Sequence, residues 1–358
     1  MTFAMIEPRE GVTLAAPFPW FGGKRKVAPQ VWAALGDVGN YCEPFAGSLA
    51  VLLGRPTTPR TETVNDIDAF LANFWRALQH EPDAVAKYAD WPVNETDLTA
   101  RHIWLVQHRD ERLARLHGNP DYYDAQVAGW WVWGLCQWIG SGWCSGNGPW
   151  SSEDGQLVHL GNPGQGVNRQ LVHLGNPGQG VNRQREHLGG ASGAMPGVLR
   201  KKQDLYAYMR ALSARLRKVR VCCGDWQRVV TDGALSYGNT VGVFLDPPYD
   251  TDVRGHDIYN SDDEHGHVSA AVREWCLENG DNPHYRIVLA GYEGEHVMPD
   301  TWRVYAYKGN AAYQNADANG ANQENRHKER LWFSLHCLRP GSQSQTPLPG
   351  VDGGAVMR

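Results

Sequence analysis

The chain has 358 residues, 42% of them hydrophobic, and its 34 Lys plus Arg against 39 Asp plus Glu leave a formal net charge of −5. That apolar content excludes a disordered chain. The negative balance excludes a protein that coats nucleic acid by bulk attraction, while leaving room for a basic face on one segment.

The length allows two domains, or one large α/β domain carrying an insertion. Glu7, Pro8 and Glu10 interrupt the N-terminal stretch where a signal peptide has a continuous apolar run, so no secretory export is expected. The longest apolar stretch, Trp130 to Trp143, is much shorter than the roughly 20 residues of a membrane span. Cysteines at 42, 136, 144, 222, 223, 276 and 337 form no CxxC pair, which points to reduced cytoplasmic thiols and not to a disulfide framework or a zinc ribbon.

In chain order, YCEPFAGSLAVLL at 41–53 has the pattern of a short strand, a small-residue loop and a helix. TVNDID at 63–68 ends a second strand in acids and is followed by the amphipathic AFLANFWRAL. Two successive strand-loop-helix units predict a mostly parallel α/β sheet of Rossmann type. VGVFL at 241–245 and RIVLA at 286–290 read as buried strands, and RLWFSLHCL at 330–338 as the last one. Residues 76–200 are dense in Trp and Gly, with no strand-helix alternation, and read as an insertion. Inside it LVHLGNPGQGVNRQ at 157–170 recurs identically at 171–184, a copy too short for a solenoid unit. The expected division is therefore a discontinuous catalytic domain at 15–75 and 201–339, an insert at 76–200 and a disordered tail at 340–358.

Residues 101–220 hold 15 Lys plus Arg and 8 Asp plus Glu, a net of +7, which leaves −12 on the rest of the chain. The basic 101–220 segment, with its Trp, Tyr, Asn, Gln and Gly, has the composition of a polyanion-facing surface. The same charge pattern also fits a Gly-rich loop that solvates its arginines.

The sharpest motif is Asp246-Pro247-Pro248-Tyr249, directly after VGVFL. It places a carboxylate and a rigid turn at the carboxyl edge of the sheet, where open α/β folds bind ligands. The prolines remove N–H donors and leave neighbouring carbonyls to accept from a substrate. An exocyclic amine held by Asp246 and the Pro247 carbonyl keeps its lone pair directed outward, with Tyr249 stacked on the attached ring.

PWFGGKRK at 19–26, EPFAGS at 43–48, NDID at 65–68, GDW at 224–226 and LDPPY at 245–249 occur together in one order. In this the chain resembles the DNA adenine methylase (Dam) family of S-adenosylmethionine-dependent amino-methyltransferases, over about 20–75 and 215–338. The resemblance implies that Trp20, Gly22, Gly23 and Lys24 form the N-terminal cofactor segment and that the loop of Glu43, Phe45, Ala46 and Gly47 passes under the cofactor. It implies further that Asp66 meets the ribose hydroxyls, that Asp225 meets the cofactor's adenine amine, and that Asp246 borders the cofactor while binding the target amine. The implied reaction is in-line attack of an adenine N6 on an already activated methyl, without a metal, after the base is flipped out of double-stranded DNA. It places the protein in the cytoplasm of a bacterial or phage-infected cell, with DNA as partner and no obligate protein partner.

The family's recognition stretch corresponds to QWIGSGWCSGN at 137–147, which lacks the family's arginine, so DNA specificity does not carry over. Asn162, Gln165, Asn168 and Arg169, their copies Asn176, Gln179, Asn182 and Arg183, and Arg185 are the candidate DNA-contacting residues, because Asn, Gln and Arg read base edges and phosphates. A recent duplication in a tolerant loop explains the same repeat. His256, His265 and His267 lack the spacing of a tetrahedral metal site. The motifs also admit N4-cytosine methylation, modification from a variant cofactor, or a catalytically silent DNA-binding module.

Overall fold

The computed structural model describes residues 14–20, 22–119, 121–138, 143–144, 150–153, 156–159, 197–248, 262–307 and 329–339. Helix α1 (Ala28–Leu35) leads into β1 (Asn40–Glu43), a short α2 (Ala50–Leu53), β2 (Thr61–Asp66) and α3 (Ala69–His80). Four helices follow: α4 (Pro82–Ala89), α5 (Glu95–Gln107), α6 (Arg109–Gly118) and α7 (Ala125–Gln137). A hairpin of β3 (Trp150–Glu153) and β4 (Gln156–His159) comes next, then α8 (Gly197–Leu216) and β5 (Val219–Cys223). The chain closes with α9 (Asp232–Leu235), β6 (Val241–Leu245), α10 (Asp262–Asn279), β7 (Tyr285–Tyr292), β8 (Arg303–Ala306) and β9 (Glu329–Phe333).

Among the described residues seven strands form one sheet in the order β5-β2-β1-β6-β7-β9-β8. Strands β5, β2, β1, β6 and β7 run parallel, and β9 lies antiparallel to both β7 and β8. This is a Rossmann-like methyltransferase fold. The chain winds outward from β1 through β2 to β5 on one side and resumes at β6 on the other, so the strand order reverses between β1 and β6. In such sheets the crevice beyond the carboxyl ends of the strands at that reversal is where ligands bind.

The alternation of side chains along each strand builds a core on both faces. Val243 and Leu245 of β6 with Ile287 and Leu289 of β7 pack on one face with Trp226, Val272 and Cys276. Phe244, Val288 and Ala290 point to the other face and join Val31, Leu35, Phe74, Leu78, Val85, Trp131 and Met209.

Helix α7, AQVAGWWVWGLCQ, is apolar nearly all round, as befits a buried helix, and so shows no helical period in the sequence. Asp124 caps it by accepting from the Val127 N–H at 2.9 Å. Gly129 and Gly134 lack the Cβ atoms that would strike α4 and Trp143. The Arg101 guanidinium lies over Trp91, Trp130 and Trp133, at 4.8, 5.3 and 4.4 Å from the ring centroids, which anchors α5 to this layer. On the sheet's far rim buried Glu62 accepts two hydrogen bonds from Arg215, at 2.7 and 2.9 Å, and a third from Arg55 at 3.2 Å.

Strand β4 is QLVH, and its last three residues open the first tandem copy. The remainder of both copies lies outside the described residues, as do the tail and the candidate DNA contacts Asn162, Gln165, Asn168, Arg169, Asn176, Gln179, Asn182, Arg183 and Arg185. All seven cysteines are free thiols. Among the described residues no helix is long and apolar enough to cross a membrane.

Candidate active site

The carboxyl ends of β1, β2 and β5 are joined by short polar contacts that hold the loop after β1. The Ala46 N–H donates to the Asn65 carbonyl at 2.8 Å, and the Asn65 amide donates to the carbonyls of Pro44 at 3.1 Å and Gly224 at 2.9 Å. Asp66 accepts from the Gly47 N–H at 2.9 Å and from the Asp68 N–H at 3.0 Å. Burial raises the Asp66 carboxyl to about 6 against the pull of these amides, so it remains largely ionised at neutral pH. The helix-capping role in NDID belongs to Asp68, which accepts from the N–H groups of Phe70 and Leu71 at 2.8 and 3.3 Å. Asp66 is left to shape the loop. Beside it the Ile67 side chain is 75% exposed.

Gly47 must be glycine for two reasons. Its φ is +46°, in the left-handed region, and a Cβ there would stand 2.5 Å from the indole nitrogen of Trp20. Trp20 therefore packs directly on the loop, and Trp75 donates its indole N–H to the Gly47 carbonyl at 3.1 Å. Phe45 lies against Trp226 with ring centroids 6.0 Å apart. Asp225 is exposed and accepts from the Gln227 N–H at 2.9 Å, which starts a turn of 3-10 helix after β5.

Glu43 faces inward. It accepts from the Tyr41 hydroxyl at 2.9 Å and from the Leu52 N–H at 3.2 Å, and so fastens α2 to the end of β1. Burial pushes its carboxyl up to about 8, the two hydrogen bonds opposing and nearby Asp246 adding to the rise.

Across the crevice, Asp246 follows β6, and Lys24 reaches it with Nζ 3.0 Å from Oδ1. Lys24 is 6% exposed; it also donates to the Gly22 carbonyl at 2.9 Å and lies 3.8 Å from Glu329 Oε2. Burial works against its charge, but Asp246, Tyr307 and Glu329 together hold its pKa well above the usual lysine value. The Tyr307 hydroxyl is hydrogen-bonded to Glu329. Burial and the neighbouring carboxylates raise the Tyr307 phenol well above its ordinary value, so it acts as a donor.

The fold thus brings Trp20, Gly22, Gly23, Lys24, Phe45, Ala46, Gly47, Asp66 and Asp246 to one sheet edge, with Pro247 buried and Pro248 partly exposed. Tyr249 and His256 lie outside the described residues, as do the side chains of His265 and His267. Among the described residues no cluster of His, Cys, Asp and Glu is placed to hold a metal ion. Of the expected recognition stretch, Trp138 and Trp143 flank buried His102 of α5, at 4.8 and 5.2 Å between ring centroids. Three site residues were not found from sequence: Ile67, Tyr307 and Glu329. A single acid within the otherwise basic and apolar HKERLWF is the one available signal for Glu329, and Tyr307 carries none.

Residues 20–122 match the family model described as D12 class N6 adenine-specific DNA methyltransferase. The match spans Trp20, the glycine turn with Lys24, the loop after β1 and Asp66, and it ends before Asp246. No curated protein matches the chain. The motifs, the sheet order and this match agree, and over residues 20–122 the chain is similar to the D12 class of N6 adenine-specific DNA methyltransferases.

Proposed function

We propose that this DNA adenine methyltransferase takes its methyl group from S-adenosylmethionine, bound across the β1 and β6 strand ends, and delivers it to an adenine flipped out of a DNA duplex. The observation that carries this reading is the pairing of Asp246 with Lys24 at 3.0 Å, across the crevice from the Gly47–Asp66 loop. The residues present fit such a cofactor. A loop of small residues permits close approach at Ala46 and Gly47, Asp66 offers an ionised acceptor at the end of β2, and exposed Ile67 beside it offers an apolar face to a ring. Asp225 is exposed just after β5, where its carboxylate is open to accept from a ring amine.

When bound, the cofactor supplies an electrophilic methyl on a sulfonium, so the protein's task is positioning and electrostatics. Asp246 accepts a hydrogen from the adenine N6, aims the nitrogen lone pair at the crevice and takes the proton that N6 loses. Pro247 and Pro248 hold the turn rigid, since their rings fix φ. Tyr249 stacks on the extruded base. Residues 76–200 serve as the target-recognition region, in keeping with the Asn, Gln and Arg side chains of the tandem copies, and the enzyme works in the cytoplasm without an obligate protein partner. Mass spectrometry of nucleosides from DNA incubated with protein and S-adenosylmethionine tests the reading. N6-methyladenine is expected with wild type and not with Asp246→Ala; no methylated adenine with wild type, or equal amounts with both, overturns it.

A further inference from the structure

An ammonium has three N–H donors, and the oxygens near that of Lys24 include the Gly22 carbonyl at 2.9 Å, Asp246 Oδ1 at 3.0 Å and Glu329 Oε2 at 3.8 Å. One buried cation thus lies between two carboxylates, on side chains 19% exposed for Asp246 and 12% for Glu329. Glu329 is fixed in turn. Its side chain is bonded by the Tyr307 hydroxyl, and its carbonyl accepts from the Tyr307 N–H at 3.1 Å, which ties the end of β8 to the start of β9.

An ammonium in contact with Asp246 competes with an incoming amine for the same carboxylate. Removing Lys24 from Asp246 would strand a buried charge if no second carboxylate waited nearby. We propose that Glu329 is a positioning residue for methyl transfer, sharing Lys24 with Asp246 so that the ammonium moves onto Glu329 when the target amine reaches Asp246. Tyr307 keeps Glu329 in place to receive it. This rests on the reading of Asp246 as the amine acceptor. Among the described residues the titratable groups facing Lys24 include Asp246 after β6, Glu329 on β9 and Tyr307 after β8, while Glu43 on β1 faces Asp246 from the interior.

The test compares Glu329→Gln, Tyr307→Phe and Glu329→Asp with wild type in steady-state methylation of duplex DNA, S-adenosylmethionine binding by calorimetry, and the pH dependence of kcat. Loss of one charge-assisted contact is expected to lower kcat in Glu329→Gln by about ten- to a hundredfold. Cofactor Kd and DNA KM are expected to change by no more than about threefold, which separates positioning from binding. With Lys24 held wholly by Asp246, the acid limb of the kcat profile moves to lower pH. Tyr307→Phe shows a smaller loss of the same kind, and Glu329→Asp restores part of it.

Wild-type kcat in both Glu329→Gln and Tyr307→Phe overturns the proposal, as does a loss in which kcat, cofactor affinity and melting temperature fall together. If Glu329→Gln does not fold, the kcat and pH profile of Tyr307→Phe decide alone. Asp246→Asn separates this proposal from the reading beneath it. An inactive Asp246→Asn beside fully active Glu329 and Tyr307 variants sinks only the role of Glu329, whereas a fully active Asp246→Asn sinks the reading of Asp246.

Discussion

Replacing Glu43 by Gln removes a buried titration at the floor of the site and leaves the side-chain shape nearly unchanged. The Glu43 carboxyl is raised from an ordinary 4.5 to about 8, chiefly by burial. In the unfolded chain it ionises near the ordinary value, so between those two pH values the folded protein holds a proton that the unfolded chain has released. The folded state binds the proton more tightly, and its contribution is therefore complete below pH 4.5 and lost as pH rises toward 8. At about 1.4 kcal/mol per pKa unit, the loss across that interval is on the order of 4 kcal/mol. That is a large share of the roughly 5–15 kcal/mol that holds a typical domain folded. Urea unfolding of wild type and Glu43→Gln at several values from pH 5 to 8.5 measures it, because every other titrating group is common to both. The wild-type stability should fall relative to the variant by several kcal/mol as the pH rises, and the constant offset from the altered hydrogen bonds to Tyr41 and Leu52 drops out of the slope. Parallel stability curves would refute the buried, protonated Glu43.

Gly47→Ala forces a side chain into left-handed backbone and against the Trp20 indole, at a cost of about 2 kcal/mol or more. A melting temperature and a cofactor affinity both equal to wild type would contradict that packing. Deletion of 171–184, the second tandem copy, removes the candidate contacts Asn176, Gln179, Asn182 and Arg183, and should weaken DNA binding and reduce its salt dependence by about one phosphate contact. Unchanged affinity with unchanged methylation-site preference would identify the copy as a tolerated duplication.

The sequence by itself determined which local chemistry each strand end carries. VGVFL ends at Leu245 and hands directly to Asp246, and TVNDID ends β2 at Asp66, because β propensity, turn prolines and acidic strand ends are short-range signals. The order of the motifs along the chain is likewise a sequence property, and with it the family resemblance.

Which of these residues meet is another matter. Lys24, before α1, Asp246, after β6, and Glu329, on β9, are far apart in the chain, and no periodicity relates them. They converge because β1 lies beside β6 and because β9 folds back antiparallel between β7 and β8, a strand order that only the packed sheet decides. The same holds for Asp66 and Asp68. Two acids in one tetrapeptide look interchangeable on paper, yet the turn into α3 assigns the helix cap to Asp68 and leaves Asp66 bonded to Gly47 in the loop after β1. The Trp-rich stretch at 130–143 hid its helix for a related reason. A segment that is buried on every side shows no polar face to betray its period, and its burial comes from α3, α4 and α5, elements that lie outside it in the chain.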